Sequence, residues 1–111
     1  MTINKLLNDE LISQKIKDAS IAPVSITMWI NDLESQIADL FNKPFTNLHY
    51  PEDKDKTLFL PTIRMDIYIL YISAMIDFLS GDMDVYNCSG KEFAKAYYDF
   101  VFDATGGIFN A

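Results

Sequence analysis

The chain has 111 residues, half of them hydrophobic, and its 16 acidic and 9 basic residues leave a formal net charge of −7. One domain's length with so much apolar material excludes a disordered chain. The acidic balance argues against binding to nucleic-acid phosphates, which depends on Lys and Arg, and a single cysteine rules out an intrachain disulfide.

The first predicted element is a helix that begins after Thr2, whose side chain can cap it. Its apolar residues recur at the three- and four-residue spacing of a helix. They are Ile3, Leu7, Leu11, Ile12 and Ile16. The helix should end before Pro23, because the residue that precedes a proline avoids helical dihedral angles. No apolar run long enough for a signal peptide precedes the polar residues 8–10.

A second helix is predicted to follow Ser25 and to stop at the Asn-Lys-Pro sequence of residues 42–44. Its apolar residues form one stripe, which predicts one buried face. The stripe consists of Ile26, Trp29, Ile30, Leu33, Ile37, Leu40 and Phe41. The polar residues are expected to face away from the core, and they are Asn31, Asp32, Glu34, Ser35 and Asp39.

Residues 45–60 lack the helical spacing of apolar residues. Apolar and polar residues partly alternate at 45–50, a second β-prone run occupies 57–60, and a charged stretch at 51–56 separates the two. This pattern predicts a β-hairpin, or two extended arms, with a solvated tip. A lone two-stranded hairpin is only marginally stable in water. It would therefore lean on a helix or pair with the edge strand of a neighbouring subunit.

A third helix is predicted over residues 62–79, opened by Pro61, and all its faces are apolar. A helix that is hydrophobic all round is buried on all sides. A chain this short can hardly surround it, which predicts that copies of the protein cover one another. Its most apolar stretch, residues 67–76, is too short to cross a bilayer, which takes about 20 residues.

Ser80 and Gly81 end that helix, and the last helix is predicted from Asp82 to Asp103. A capping-box sequence allows a later start at Ser89. The two last helices form an αα-hairpin. The sequence as a whole predicts a mainly α protein, a small bundle of about four helices in a single domain over residues 1–104, followed by a flexible tail at 105–111.

Residues that could carry chemistry are few and isolated. His49 and Cys88 are the only histidine and cysteine, and neither has the partners that a zinc site or a nucleophilic pair requires. Asp82 and Asp84 suit a helix N-terminus, because a calcium loop starting at Asp82 needs Gly and Glu at its sixth and twelfth positions and this sequence has neither. Pairing either with Asp77 as acid and base lacks a substrate pocket. We therefore expect a protein that is not an enzyme, with no catalytic residue, cofactor or metal.

Two stretches resemble a known family. Residues 29–37 (WINDLESQI) resemble a "WLNELE"-like helix near the start of certain small phage proteins. Residues 60–97 are similar to the pattern "LP…YDxxYxxYLxAMIDFxxGExxxYNNSxxxFNxAYxxF" of head–tail connector (adaptor) proteins of long-tailed bacteriophages. The matching residues are Leu60, Pro61, Asp66, Ile67, Tyr68, Tyr71, Ala74, Met75, Ile76, Asp77, Phe78, Gly81, Asp82, Tyr86, Asn87, Phe93, Ala96 and Tyr97. The chain departs from the pattern at residues 64–66 and 88–90, and its C-terminal residues lack the family's aromatic Trp-Tyr ending.

The resemblance implies a helical adaptor that forms a ring, typically dodecameric, below the portal at the capsid vertex. Such a protein is made in the host cytoplasm and functions in the virion, at the head–tail interface and without a membrane. Its partners would be further copies of itself, the portal protein and tail-side connector or stopper proteins. Genome DNA would pass through the ring without specific binding, which suits an acidic lumen.

The predicted interface combines apolar residues of the third helix, of the hairpin and of the tail. They are Tyr68, Tyr71, Met75, Phe78, Phe59, Ile108 and Phe109. The alternative function is a small cellular tetratricopeptide-like module that binds other proteins, although a stable array needs about three repeats and one helix pair is visible. A small enzyme or a toxin–antitoxin-like regulator is a third class, without a residue pattern to support it.

Overall fold

A computed structural model describes residues 1–105 of the chain. These residues form five α-helices and one 3₁₀ helix, and no β-strand is found among them. The helices are α1 (Ile3–Leu7), α2 (Ser13–Asp18), α3 (Pro23–Leu40), the 3₁₀ helix (Thr62–Arg64), α4 (Met65–Ser80) and α5 (Met83–Ala104). The mainly helical fold class is therefore confirmed.

The predicted first helix is two short helices, so the prediction of one continuous helix is wrong. Thr2 caps α1 as expected and accepts the Lys5 N–H at 3.2 Å. The helix breaks because the Asp9 carboxylate accepts the Leu11 N–H at 2.9 Å, and a short polar side chain that bonds nearby backbone favours a turn. Apolar residues predicted to face the core lie there on both sides of the break, since Ile3 and Ile16 are both buried.

Helix α3 begins at Pro23, two residues before Ser25, where the first helical position does not need the missing N–H. Four of the seven residues of its predicted apolar stripe are buried in the core, Trp29 and Leu40 are half-buried, and Phe41 is 40% exposed. The buried members are Ile26, Ile30, Leu33 and Ile37. The helix is followed by Asn42 in a left-handed conformation, with φ of 54°.

The β-hairpin predicted near residues 45–60 is not formed. Its backbone groups bond elsewhere: the Leu58 N–H donates to the Met1 carbonyl at 2.8 Å, and the Asn4 N–H donates to the Lys54 carbonyl at 2.9 Å. Leu58 and Leu60 are buried in the core. Residues 41–61 are thus a loop without strand pairing, which bonds to the N-terminal residues and forms short-range turns over residues 49–56.

Helix α4 is the central helix, in contact with α1, α2, α3 and α5. Its own chain covers most of it, and Ile67, Tyr68 and Ile72 are fully buried. The expectation that neighbouring copies must shield this helix along its length is therefore wrong. The predicted single N-terminal helix is instead two short helices, α1 and α2. Both pack against α4 and bury part of its surface. Only its C-terminal Phe78 and Leu79 remain large, apolar and at least half exposed.

The αα-hairpin of α4 and α5 is present as predicted. Gly81 ends α4 with φ of 80°, which L-residues rarely adopt. The Asp82 carboxylate caps α5 by accepting the Asp84 and Val85 N–H groups at 3.1 and 3.2 Å. A later start at Ser89 is excluded, because Ser89 lies inside α5.

Helix α5 lies at one side of the fold and packs mainly against α4. Only two of its residues, Ser89 and Phe100, are buried. The molecule measures 45 × 36 × 20 Å, so it is a flat body with a long, largely solvated helix. None of the helices in residues 1–105 has the length and apolarity needed to span a membrane.

Candidate interaction surfaces

The most buried carboxylate in residues 1–105 is that of Glu34, which is 2% exposed. One of its oxygens accepts the Tyr68 hydroxyl hydrogen, and the other accepts the Phe59 N–H at 2.9 Å. The Tyr68 oxygen in turn accepts the Leu60 N–H at 3.0 Å. Burial raises the pKa of Glu34 above its ordinary value of 4.5, although both hydrogen bonds oppose that rise. This network fastens the loop to α3 and α4.

Asn31 holds the same loop one turn earlier on α3. Its amide nitrogen donates to the Leu48 carbonyl at 3.0 Å, and its amide oxygen accepts the Leu48 N–H at 2.8 Å. The expectation that Asn31 and Glu34 face solvent is therefore wrong. Both side chains form hydrogen bonds with backbone groups of the loop, at Leu48 and Phe59. These polar residues of α3 therefore bond to backbone groups that a neighbouring strand would bond to in a hairpin.

Lys15, Ser73 and Asp77 form a second polar cluster between α2 and α4. The Lys15 ammonium lies 2.8 Å from the Asp77 carboxylate and 2.6 Å from the Ser73 hydroxyl oxygen. The ion pair and the hydrogen bond together tie α2 to α4.

An aromatic row joins α4 to α5 and continues to the end of α3. The ring centroids of Tyr71 and Phe93 are 5.0 Å apart, and those of Phe93 and Tyr97 are 5.6 Å apart. Phe100 continues the row at 6.2 Å from Tyr97 and reaches Phe41 at 6.1 Å. Burial raises the pKa of the Tyr71 hydroxyl. Tyr71 is thus an intramolecular packing residue on at least one side.

The predicted interface residues divide into three groups. Tyr68 is fully buried, so its prediction as an interface residue is wrong; its hydroxyl is required inside the fold by Glu34. Tyr71, Met75 and Phe59 are half-buried, and Phe78 is 51% exposed. Ile108 and Phe109 lie outside the described residues.

One surface patch is at the tip of the α4–α5 hairpin, and we call it the tip patch. It consists of four large apolar residues that lie within eight positions of the chain around the turn and are each at least 46% exposed. They are Phe78, Leu79, Met83 and Val85. Isolated apolar residues on a surface are ordinary, but a cluster marks a contact surface. Only Phe78 among them is predicted from the sequence, because helical periodicity does not show which apolar positions the hairpin leaves uncovered.

A second patch, the base patch, lies at the opposite end of the hairpin and consists of Leu11 and Ile63. Ile63 is 86% exposed and Leu11 is 68% exposed. Both line the Leu11 groove, a mainly apolar depression of about 320 Å³ whose floor includes Met65 and Ile69. Sequence reasoning missed both residues because it placed them inside regular helices, whereas the structure has a turn at Leu11 and a 3₁₀ helix at Ile63.

Ile63 also borders a larger depression on the α5 side, the Phe102 groove, of about 710 Å³. Charges of both signs line it. The cations are Arg64 and Lys95, and the acids are Asp66, Glu92, Asp99 and Asp103. Within residues 1–105, no three His, Cys, Asp or Glu side chains are grouped so that they could hold a metal ion.

Comparison of the chain with protein-family models, with curated proteins and with solved structures found no match.

Proposed function

We propose that this protein is a structural subunit of a bacteriophage head–tail connector, and that its copies assemble into a ring below the portal. The observation that carries this proposal is the presence of two different apolar patches at opposite ends of one helical hairpin. A ring is built from heterologous contacts, in which one surface of a subunit meets a different surface of the next. The tip patch and the base patch are such a pair.

The separation of the patches supports contacts with two neighbours at once. Helix α4 lies between them and has 16 residues, which corresponds to about 24 Å at 1.5 Å per residue. In the proposed contact, Phe78 and Leu79 of one copy enter the Leu11 groove of the next. That groove is the less charged of the two beside Ile63, with Asp66 as its single charged residue.

The resemblance of residues 60–97 to connector proteins is the second support. Much of the pattern coincides with positions that the α4–α5 hairpin needs for its own fold, such as buried Ile67 and Ile76 and the left-handed Gly81. Phe78 is a pattern residue that packs against Tyr86 with ring centroids 5.2 Å apart, yet half of its surface stays exposed and available for a contact. The net charge of −7 is a third support, because an acidic channel repels DNA and lets it pass. In this proposal, the dodecameric copy number, the portal and the tail-side connector follow from the resemblance.

The test is to image the purified protein by negative-stain electron microscopy, alone and mixed with a candidate portal protein. Rings, or added density on the portal, are expected. Sedimentation velocity under the same conditions gives the mass of the assembly. A monomer that persists at high concentration and does not bind the portal would refute the proposal, provided that circular dichroism shows the helical fold intact.

A further inference from the structure

The Phe102 groove lies where α5 ends. It runs between the 3₁₀ helix, the start of α4 and the C-terminal half of α5, and its apolar surface comes from Ile63, Leu70, Ala96 and Phe102. Its volume of about 710 Å³ is within the range of roughly 300–1,000 Å³ that is typical of small-molecule sites, so it has room for two large side chains. Ile63 and Phe102 leave 86% and 50% of their surface exposed there.

Packing at this end of the fold is incomplete within residues 1–105. The Arg64 guanidinium lies over the Phe100 ring, 5.8 Å from its centroid. The Arg64 Nε is buried and has no hydrogen-bond acceptor among these residues, since its approach to Asp66 is 3.7 Å. A buried donor without an acceptor costs about 1–3 kcal/mol. The groove wall is thus a place where further contacts would stabilise the protein.

The residues that follow α5 in the sequence, 106–111, begin next to the groove. Phe102 and Asp103 line it, α5 ends at Ala104, and six residues follow Thr105 in the sequence. Those six, GGIFNA, include two large apolar residues and no charged side chain. The two glycines permit the sharp reversal that a return path along α5 requires.

The distances allow this return. Six extended residues span about 20 Å at 3.3 Å each. Lys95, at the far part of the groove, is ten residues from Thr105 on the helix, or about 15 Å. The segment therefore reaches the whole groove without disturbing α5. None of its side chains is charged, so the acids of the groove wall do not repel the side chains that would dock there.

We propose that Ile108 and Phe109 dock in the Phe102 groove of their own chain. The link of two or three residues between Thr105 and these side chains gives an effective concentration on the order of millimolar, which favours the same chain over a second copy. The docked segment covers Ile63 and Phe102 from the α5 side and leaves the Leu11 groove open. This proposal concerns the isolated subunit and does not depend on the proposed ring.

Disulfide trapping in the full-length chain tests the docking. In a Cys88→Ser background, Asn110→Cys is combined with Lys95→Cys, which lines the groove, or with Tyr98→Cys as the matched control. Tyr98 is nearer to Thr105 along α5 and is 71% exposed, but it does not line the groove. Both chains are oxidised at low concentration, and circular dichroism checks that both retain the helical fold.

A docked segment should form the intrachain disulfide with position 95 at least about fivefold faster than with position 98. Adding Ile108→Ser and Phe109→Ser should remove that preference, because the apolar anchors are gone. Equal rates at both positions, or a preference that survives the two serines, would overturn the proposal. Disulfides that form only between chains, at a rate that rises with protein concentration, would overturn it as well and would identify a second copy as the occupant.

Discussion

Tyr68 on α4 donates its hydroxyl hydrogen to Glu34 on α3, and both side chains are buried. The pair also holds the loop, because the Phe59 N–H donates to the Glu34 carboxylate and the Leu60 N–H donates to the Tyr68 oxygen. Two side chains thus satisfy two backbone donors that a β-ladder would otherwise have served. The loop between α3 and α4 depends on this pair for its position.

Replacing Tyr68 by Phe should lower the free energy of unfolding by about 1–3 kcal/mol. The change keeps the ring in the core but leaves the Leu60 N–H without its acceptor and the Glu34 carboxylate without one donor. Urea unfolding followed by the fluorescence of Trp29 measures the loss. Tyr98→Phe is the matched control, because Tyr98 is 71% exposed, and its stability should stay within about 0.5 kcal/mol of the original. Equal stability of the two variants would show that the Tyr68 hydroxyl has no structural role.

Glu34 should make stability depend on pH in a direction that is unusual for a carboxyl group. Its folded-state pKa is raised above 4.5, so the folded chain holds the proton more tightly than the unfolded chain does. The stabilisation from this group is therefore complete below pH 4.5 and is lost as the pH rises through the raised pKa. Urea unfolding at a series of pH values, compared with Glu34→Gln, isolates this contribution.

The original chain should lose stability relative to the Glu34→Gln variant as the pH rises above 4.5, and the difference should level off once Glu34 is ionised in both states. The variant has a constant cost of its own, because its amide nitrogen faces either the Tyr68 hydroxyl or the Phe59 N–H. Only the pH-dependent part of the difference tests the assignment. A difference that stays flat across the range would contradict it.

Asn31→Ala should increase the local opening of the loop around Leu48 while the helices stay folded. The change removes both hydrogen bonds between the Asn31 amide and the Leu48 backbone. Hydrogen exchange measured by mass spectrometry should become faster in peptides covering residues 45–52 and stay unchanged in α4. The neighbouring Asp32→Ala is a suitable control, because Asp32 is exposed. Unchanged exchange at residues 45–52 would mean that other contacts hold this part of the loop.

Substitutions in the two patches should separate assembly from folding. Leu79→Lys and Leu11→Lys each place a charge at an apolar, exposed position, so stability should change by no more than about 0.5 kcal/mol. Each variant alone should fail to form the ring, because it lacks one of the two contact surfaces. Tyr98→Lys, exposed but outside both patches, should assemble normally.

Mixing the two patch variants gives a sharper result. The Leu79→Lys chain keeps its base patch and the Leu11→Lys chain keeps its tip patch, so one copy of each should form a pair that cannot grow. Sedimentation velocity under the conditions where the original protein assembles should show a one-to-one complex. Rings formed by either variant alone would show that the patch it alters is not a contact surface.

The amino-acid sequence by itself determined the elements whose signals are local. Thr2 caps α1, the apolar stripe of α3 supplies four buried core residues, and Gly81 with Asp82 makes the turn between α4 and α5. Each of these depends on residues within a few positions of one another, since helical spacing, a left-handed glycine and an N-terminal cap are properties of a short segment.

Only the tertiary structure decided which polar residues are internal and which apolar residues are not. Glu34 looks like a solvated helix residue until the loop and Tyr68 close over it, and Ile63 looks like core until a 3₁₀ helix turns it outward. The predicted hairpin failed for the same reason, because its backbone found partners at Met1 and on α3. Burial is a relation between segments that are distant in the chain, and a periodic pattern describes one segment at a time.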